Sequence, residues 1–118
     1  MQVVGINKDL KDAVSYAGTN SAFYRKLFSN LGIDSDQIDE SGFRAIPFTT
    51  KEDLAIYNED FLCIPAKDVF DIATTSGTTG NPVSFYLSHS DMDRLARNEA
   101  QSLQIAGATA EDRFQLMT

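Results

Sequence analysis

A glycine- and hydroxyl-rich loop between two strand-like segments constrains this sequence more than any other feature. The loop consists of Thr-Thr-Ser-Gly-Thr-Thr-Gly-Asn-Pro at residues 74–82. Residues 69–73, which precede it, are mostly apolar and partly β-branched, and residues 83–88, which follow it, alternate between apolar and polar side chains. We therefore expect the chain to fold here as strand, loop and strand.

The chemistry of this loop is suited to an anion. Gly77 and Gly80 permit positive φ angles, so successive backbone N–H groups can converge on one point. Ser76, Thr78 and Thr79 add neutral hydroxyl donors beside those amides. Because the loop contains no carboxylate, a polyphosphate is the ligand that this pattern favours.

The composition of the loop allows other interpretations. Gly, Ser, Thr, Asn and Pro also form turns without any ligand, which is the plain structural alternative. The common phosphate loop requires a lysine after its second glycine, whereas Asn81 follows Gly80 here, and the dinucleotide motif G-x-G-x-x-G is absent. A phosphate held by hydroxyls and amides alone needs Mg²⁺, or basic groups from elsewhere, to neutralise the remaining charge.

Three segments resemble a known family. Residues 76–82 are similar to the phosphate loop of the adenylate-forming enzymes, the acyl- and aryl-coenzyme A synthetase superfamily. Phe-Tyr-Arg-Lys-Leu-Phe at residues 23–28 and Pro-Phe-Thr-Thr-Lys-Glu-Asp-Leu at residues 47–54 resemble the amino-terminal region of phenylacetate–coenzyme A ligases. The resemblance extends over most of the chain, from near residue 20 to residue 118.

The resemblance implies a reaction in two steps. A small-molecule carboxylic acid attacks ATP, with Mg²⁺ present, to give an acyl adenylate and pyrophosphate, and the thiol of coenzyme A then expels AMP. The catalytic lysine and the adenine and ribose contacts are expected after residue 118, so no catalytic residue is assigned here. The residues that the resemblance assigns to ATP binding are Thr75, Ser76, Gly77, Thr78, Thr79 and Gly80.

The sequence departs from the family pattern at two positions. Asn81 stands where phenylacetate ligases tend to have a lysine, and Val83 where many superfamily members have one. Both changes leave less positive charge near the phosphates. Two alternatives therefore stay open: a non-catalytic packing or oligomerisation module with a vestigial loop, and an adenylating enzyme with a protein or amine acceptor. A homodimer is compatible with either.

Length and composition limit the remaining classes. A chain of 118 residues has the length of a single small domain. Members of the resembled family are several times longer. The resemblance therefore implies that residues 1–118 are part of an amino-terminal adenylation domain and are inactive alone. The fold class expected is α/β, with amino-terminal helices followed by strand, loop, strand and helix. The formal charge of −7 argues against nucleic acid as a partner. No segment is apolar enough for a membrane span, and no signal peptide is recognisable.

The single cysteine, Cys63, predicts a reducing compartment, which we take to be the cytoplasm. Its neighbours, Leu62 and Ile64, favour a buried inert thiol over a nucleophile. One cysteine and one histidine cannot complete a tetrahedral zinc site, so no metal ligands are assigned within the chain.

The helical segments can be placed from their end signals. Asn7 is expected to cap a helix that runs to about residue 17 and stops at Gly18. A second helix is expected to start at Asn20 or Ser21 and to end at Gly32.

Two further helices are expected around the loop. Thr49 with Glu52 predicts a capping box ahead of the loop. After the loop, Ser90 is expected to cap a helix over residues 91–106, with an apolar stripe that includes Leu95 and Leu103, closed by Gly107.

Three polar residues near this last helix have open roles. Arg94 and Arg97 are candidates for phosphate contacts or for an ordinary solvated face. His89 is a candidate general base or a surface turn residue.

Overall fold

Helices precede a two-stranded hairpin, and a long helix follows it. The computed structural model describes residues 6–76 and 82–115. The predicted α/β architecture, helices followed by strand, loop, strand and helix, is confirmed. The elements in chain order are α1 Lys8–Asn20, α2 Ala22–Leu31, α3 Glu40–Ala45, α4 Lys51–Ile56, a first 3₁₀ turn Asn58–Phe61, a second 3₁₀ turn Ala66–Asp68, β1 Asp71–Thr74, β2 Ser84–Leu87 and α5 His89–Ile105.

The starts of α1 and α2 and the end of α2 follow from local chemistry. Asn7 caps α1, because its Oδ1 accepts a hydrogen bond from the backbone N–H three residues on, at 2.8 Å. Ser21 caps α2 in the same way, with its Oγ accepting from the Tyr24 N–H at 3.3 Å. Gly32 ends α2 with a φ of 65°, a left-handed conformation that glycine adopts at little cost. The predicted roles of Asn7, Ser21 and Gly32 are confirmed.

Gly18 lies inside α1 and does not end it, so this predicted stop is wrong. The helix continues to Asn20, which is its last residue and not a cap of α2. A Cβ atom on Gly18 would lie 2.6 Å from the Ser35 Oγ and 3.0 Å from the Phe28 ring. Glycine is therefore required here by the close approach of neighbouring side chains and not by a left-handed turn.

The helix α4 begins one residue later than predicted, because Thr50 caps it in place of Thr49. Thr50 Oγ1 accepts from the Asp53 N–H at 3.1 Å, and the Asp53 carboxylate accepts from the Thr50 N–H at 2.9 Å. This capping box uses Asp53 where Glu52 was predicted, and its hydrogen bonds lower the pKa of the Asp53 carboxyl. The Thr49 hydroxyl bonds instead with the hydroxyl of Tyr24, at 2.8 Å.

The helix α5 begins earlier than predicted, because Ser88 and not Ser90 is its cap. Ser88 Oγ accepts from the Asp91 N–H at 3.2 Å, and the Asp91 carboxylate accepts from the Ser88 N–H at 3.0 Å. The latter bond is the main cause of a lowered pKa of the Asp91 carboxyl, so this cap is complete at neutral pH and weakens as the pH falls through that lowered pKa. Gly107, with a φ of 90°, closes the helix as predicted.

The buried core lies in the helical part of the chain. Beside this core, the rings of Phe23 and Phe61 stack with their centroids 4.2 Å apart. The stacking holds the first 3₁₀ turn against α2. The core consists of the buried Val14, Phe28 and Ile38, with Tyr24, Leu27, Ile33 and Ile46 packed around them.

The hairpin and α5 leave apolar side chains exposed. The two strands are antiparallel, with Ile72 opposite Tyr86. Ile72 is 55% exposed and Phe85 is 46% exposed. The apolar stripe predicted for α5 is exposed too, at Leu95 and Leu103. No helix within residues 6–76 and 82–115 is both long and apolar enough to cross a membrane.

Gly18→Ala tests the close approach at α1. We expect the substitution to lower the free energy of unfolding by about 1–3 kcal/mol, because the new Cβ overpacks against Ser35. Urea unfolding followed by circular dichroism measures the change. Adding Ser35→Gly removes the side chain that the Cβ meets and should restore part of the loss. An alanine variant as stable as the parent would contradict this packing.

Candidate functional site

A pair of hydrogen bonds closes the base of the predicted phosphate loop. The Thr75 N–H donates to the Val83 C=O at 3.0 Å. In return, the Val83 N–H donates to the Thr75 hydroxyl oxygen, also at 3.0 Å. Val83 is buried, with 1% of its surface exposed. These two residues, the loop base, fix the separation of the chain ends between which the loop runs.

The structure describes two of the six residues predicted to bind phosphate. Thr75 lies in the loop base, where its hydroxyl oxygen accepts from Val83, so its observed contribution is to close the loop. Ser76 is exposed next to it. The predicted residues that lie outside the described residues are Gly77, Thr78, Thr79 and Gly80, together with the neighbouring Asn81.

Asn58, which sequence reasoning missed, supports β2 next to the loop base. Its Nδ2 donates to the Ser84 C=O at 2.7 Å. The Ser84 N–H donates to its Oδ1 at 3.0 Å. The partners are 26 positions apart in the sequence, so no local pattern could have predicted their contact. An asparagine just after a predicted helix was the only signal available.

His89 lies away from the loop base. It is the first residue of α5, and its ring contacts that of Phe70, with centroids 3.9 Å apart. Phe70 precedes β1, whereas the loop follows β1. The four residues of this strand span roughly 13 Å at the usual rise per residue. The histidine is therefore not placed to act as a general base at the loop.

The two arginines of α5 make contacts within their own helix. The Arg94 guanidinium lies 3.7 Å from the Asp91 carboxylate. Arg97 Nε donates to the Asp93 C=O at 3.2 Å. Both arginines are exposed, as on a solvated helix face.

Cys63 has the surroundings of an unreactive thiol. Its side chain is half-buried, and its Sγ contacts the Phe61 C=O at 3.5 Å. Burial raises the pKa of the thiol, so the thiolate is disfavoured at neutral pH. Among the residues that the structure describes, no group of three or more His, Cys, Asp or Glu side chains could hold a metal ion.

Cavities border several of the described elements, and two of them bear on the candidate site. The larger, of about 590 Å³, is a mainly apolar groove in the helical part, bordered by Val14, Phe28 and Phe48. A smaller one, of about 330 Å³, is bordered by Asn58 and Ser84. The larger groove does not include the loop base, so it is separate from the predicted phosphate site.

Comparison with known sequences identifies similar ligases. The chain is 36% identical over 107 residues to the phenylacetate-coenzyme A ligase of Escherichia coli K12, a match that covers 89% of this chain and 24% of that protein. The phenylacetate-coenzyme A ligase of Thermus thermophilus is 35% identical over 106 residues, covering 84% and 23%. The chain thus spans about a quarter of the length of the curated relatives it matches. No protein-family model matches the sequence.

Comparison with solved structures also identifies a CoA ligase, in agreement with the sequence comparison. A 2-hydroxyisobutyryl-CoA ligase in complex with 2-HIB-AMP and CoA, in the thioesterification state, superposes with a TM-score of 0.65 and 29% identity. The match covers 77% of this chain and 21% of that one. An open conformation of the same ligase gives a TM-score of 0.64. The predicted resemblance to phenylacetate–coenzyme A ligases is therefore confirmed, and the fold matches the amino-terminal part of an adenylate-forming CoA ligase.

Thr75→Val tests the bond that closes the loop base. Valine keeps the shape of threonine but leaves the N–H of the buried Val83 without its acceptor. We expect a loss of about 1–3 kcal/mol in the free energy of unfolding, measured in urea. Thr75→Ser, which keeps the hydroxyl, is the matched control and should lose less. Equal stability of the two variants would show that the hydroxyl does not hold Val83.

Proposed function

We propose that this chain, whose sequence is similar to that of phenylacetate–coenzyme A ligases, forms part of an enzyme that activates a carboxylic acid with ATP. The acid carboxylate attacks the α-phosphorus of ATP, which gives an acyl adenylate and releases pyrophosphate. The thiol of coenzyme A then attacks the acyl carbon and releases AMP. Relatives named as acid–coenzyme A ligases, and a structural neighbour bound to 2-HIB-AMP and CoA, support this proposal.

The observation that carries the proposal is the hydroxyl-rich loop at the end of a closed hairpin. Thr75 closes the loop base with Val83, so the loop starts from a fixed geometry. Ser76, Thr78 and Thr79 would donate hydrogen bonds to the β- and γ-phosphates. The task of the loop is positioning and charge stabilisation, which leaves the α-phosphorus in line for attack.

The glycines of the loop have a separate role in this proposal. Gly77 and Gly80 would let the backbone turn so that its N–H groups face the phosphates. Hydroxyls and amides fit phosphate oxygens, whereas Mg²⁺ prefers oxygen ligands that include carboxylates. We therefore propose that Mg²⁺ arrives as the MgATP complex, while the loop binds the nucleotide.

We also propose that residues 1–118 are part of a larger amino-terminal adenylation domain. The exposed apolar side chains of the hairpin and α5, such as Ile72, Phe85 and Leu103, are suited to a packing surface. We propose that the remainder of that domain packs against these side chains, and a second copy of the chain is the alternative. The lone half-buried Cys63 fits a reducing compartment, so we place the enzyme in the cytoplasm.

The same exposed surface supports a second candidate function. A packing or oligomerisation module would need this apolar surface but no working phosphate loop. The absence of a lysine at Asn81 and Val83 favours that alternative. Passage of the acyl group to a protein or an amine in place of coenzyme A would leave the loop chemistry unchanged.

Gly80→Val in the complete protein tests the loop directly. We expect acid-dependent ATP–pyrophosphate exchange to fall far more than the melting temperature, because valine blocks a left-handed turn or crowds the phosphates. Gly107→Val is the matched control, since Gly107 has a φ of 90° and lies outside the loop sequence, after the end of α5. Unchanged exchange in a folded Gly80→Val variant would remove the phosphate-loop assignment. Residues 1–118 alone should show no exchange.

Asn81→Lys distinguishes a working loop from a vestigial one. In a working loop, the added charge should tighten MgATP binding by about 1 kcal/mol, or several-fold, and this gain should shrink with added salt. Titration of MgATP at two salt concentrations measures both effects. Asn81→Gln, which adds length without charge, is the control. The absence of MgATP binding in the parent and in both variants would favour the packing module.

A further inference from the structure

We propose that Asn58 is a positioning residue for the phosphate loop and acts through the backbone of Ser84. Its side-chain amide bonds the backbone of β2 on the side that faces away from β1, as a neighbouring strand would, and so fixes the point where β2 begins. The inference rests on the proposed function, because it assigns Asn58 a role toward the same loop.

The hydrogen-bonding pattern of the hairpin directs the Ser84 backbone toward Asn58. Thr75 and Val83 bond to each other across the hairpin. Hydrogen-bonded and non-hydrogen-bonded pairs alternate in antiparallel strands, so the next pair, Thr74 opposite Ser84, is non-hydrogen-bonded. The N–H and C=O of Ser84 therefore point away from β1. Asn58 bonds both, at 3.0 Å and 2.7 Å.

An amide side chain is specifically suited to this contact. Asparagine presents one acceptor and one donor group side by side, as a backbone residue of a neighbouring strand does. An ionised carboxylate can accept from the Ser84 N–H but cannot donate to its C=O. Leucine, which is similar in size, can do neither. Substitutions of Asn58 therefore remove one or both bonds without a large change in volume.

The turn that carries Asn58 is anchored to α2. The Asp60 C=O accepts from the Oγ of Ser21, a side chain with no exposed surface, at 2.8 Å. The adjacent Phe61 ring stacks on Phe23 of α2. Because the turn spans only Asn58–Phe61, these contacts restrict the position of the amide. The start of β2 is thereby held in a fixed relation to α2.

The position of β2 matters for the proposed chemistry. Val83, half of the loop base, directly precedes Ser84, so a shift of Ser84 moves the end of the loop. A misplacement of about 1 Å can lower the rate of a positioned reaction by about 10²-fold. Loss of the amide should therefore affect the use of ATP more than it affects the stability of the fold.

The first test compares Asn58→Leu with Val14→Ala in the complete protein. Val14 lies in the helical core, so its substitution lowers the melting temperature without a contact to the loop base. We expect Asn58→Leu to lower kcat/KM for ATP in acid-dependent ATP–pyrophosphate exchange by about tenfold or more, and Val14→Ala by less than about twofold. Equal effects of the two variants on kcat/KM would overturn the role of Asn58. Absence of exchange in the parent protein would instead overturn the proposed function.

The second test uses Asn58→Asp and the pH. A protonated carboxyl can donate to the Ser84 C=O as the amide does, whereas the carboxylate repels that oxygen. The ratio of kcat/KM for ATP between Asn58→Asp and the parent should therefore rise as the pH is lowered from about 8 toward 6. A ratio that does not change with pH would contradict the proposal. If neither Asn58→Leu nor Asn58→Asp folds, the role of Asn58 is in folding alone and the proposal fails.

Discussion

Two hydrogen bonds between the Asn58 amide and the Ser84 backbone join the helical part of the chain to the hairpin, and in our proposal the position of the loop base depends on them. On the helical side, Ser21 and the stacked rings of Phe23 and Phe61 hold the turn that carries Asn58. On the hairpin side, the strand pairing carries the constraint to the loop base. Because hydrogen bonds are directional, this pair fixes both the distance and the orientation of the Ser84 backbone relative to the turn Asn58–Phe61.

The elements that could be predicted from the sequence are those fixed by local chemistry. The cap at Asn7 and the left-handed end at Gly32 involve residues within one turn of each other, and both are confirmed. Gly18 was assigned wrongly because its requirement comes from Ser35, a residue outside its helix. At α4, the predicted cap Thr49 was one residue too early. Tyr24, distant in sequence, bonds to Thr49, and the box forms at the next residue.

The candidate site could be predicted only in part, for the same physical reason. The composition of the loop and its flanking strands is a local property, so the order strand, loop and strand was predicted correctly. The bonds from Val83 to Thr75 and from Ser84 to Asn58 are tertiary contacts that no periodicity encodes. These contacts give specific roles to the Thr75 hydroxyl and the Asn58 amide. From the sequence alone, Thr75 was one of six candidate loop residues, and Asn58 had no predicted role. The role of the loop hydroxyls and amides as donors to phosphate remains a prediction.

The identity of the nucleotide product tests the central claim, that the chain belongs to an enzyme that adenylates a carboxylic acid. The complete protein would be incubated with MgATP, coenzyme A and a panel of aryl and short acyl acids, and the nucleotides separated by chromatography. We predict acid-dependent formation of AMP and pyrophosphate, with one thioester formed for each AMP. Formation of ADP and phosphate, or ATP consumption that does not depend on any acid, would contradict the account.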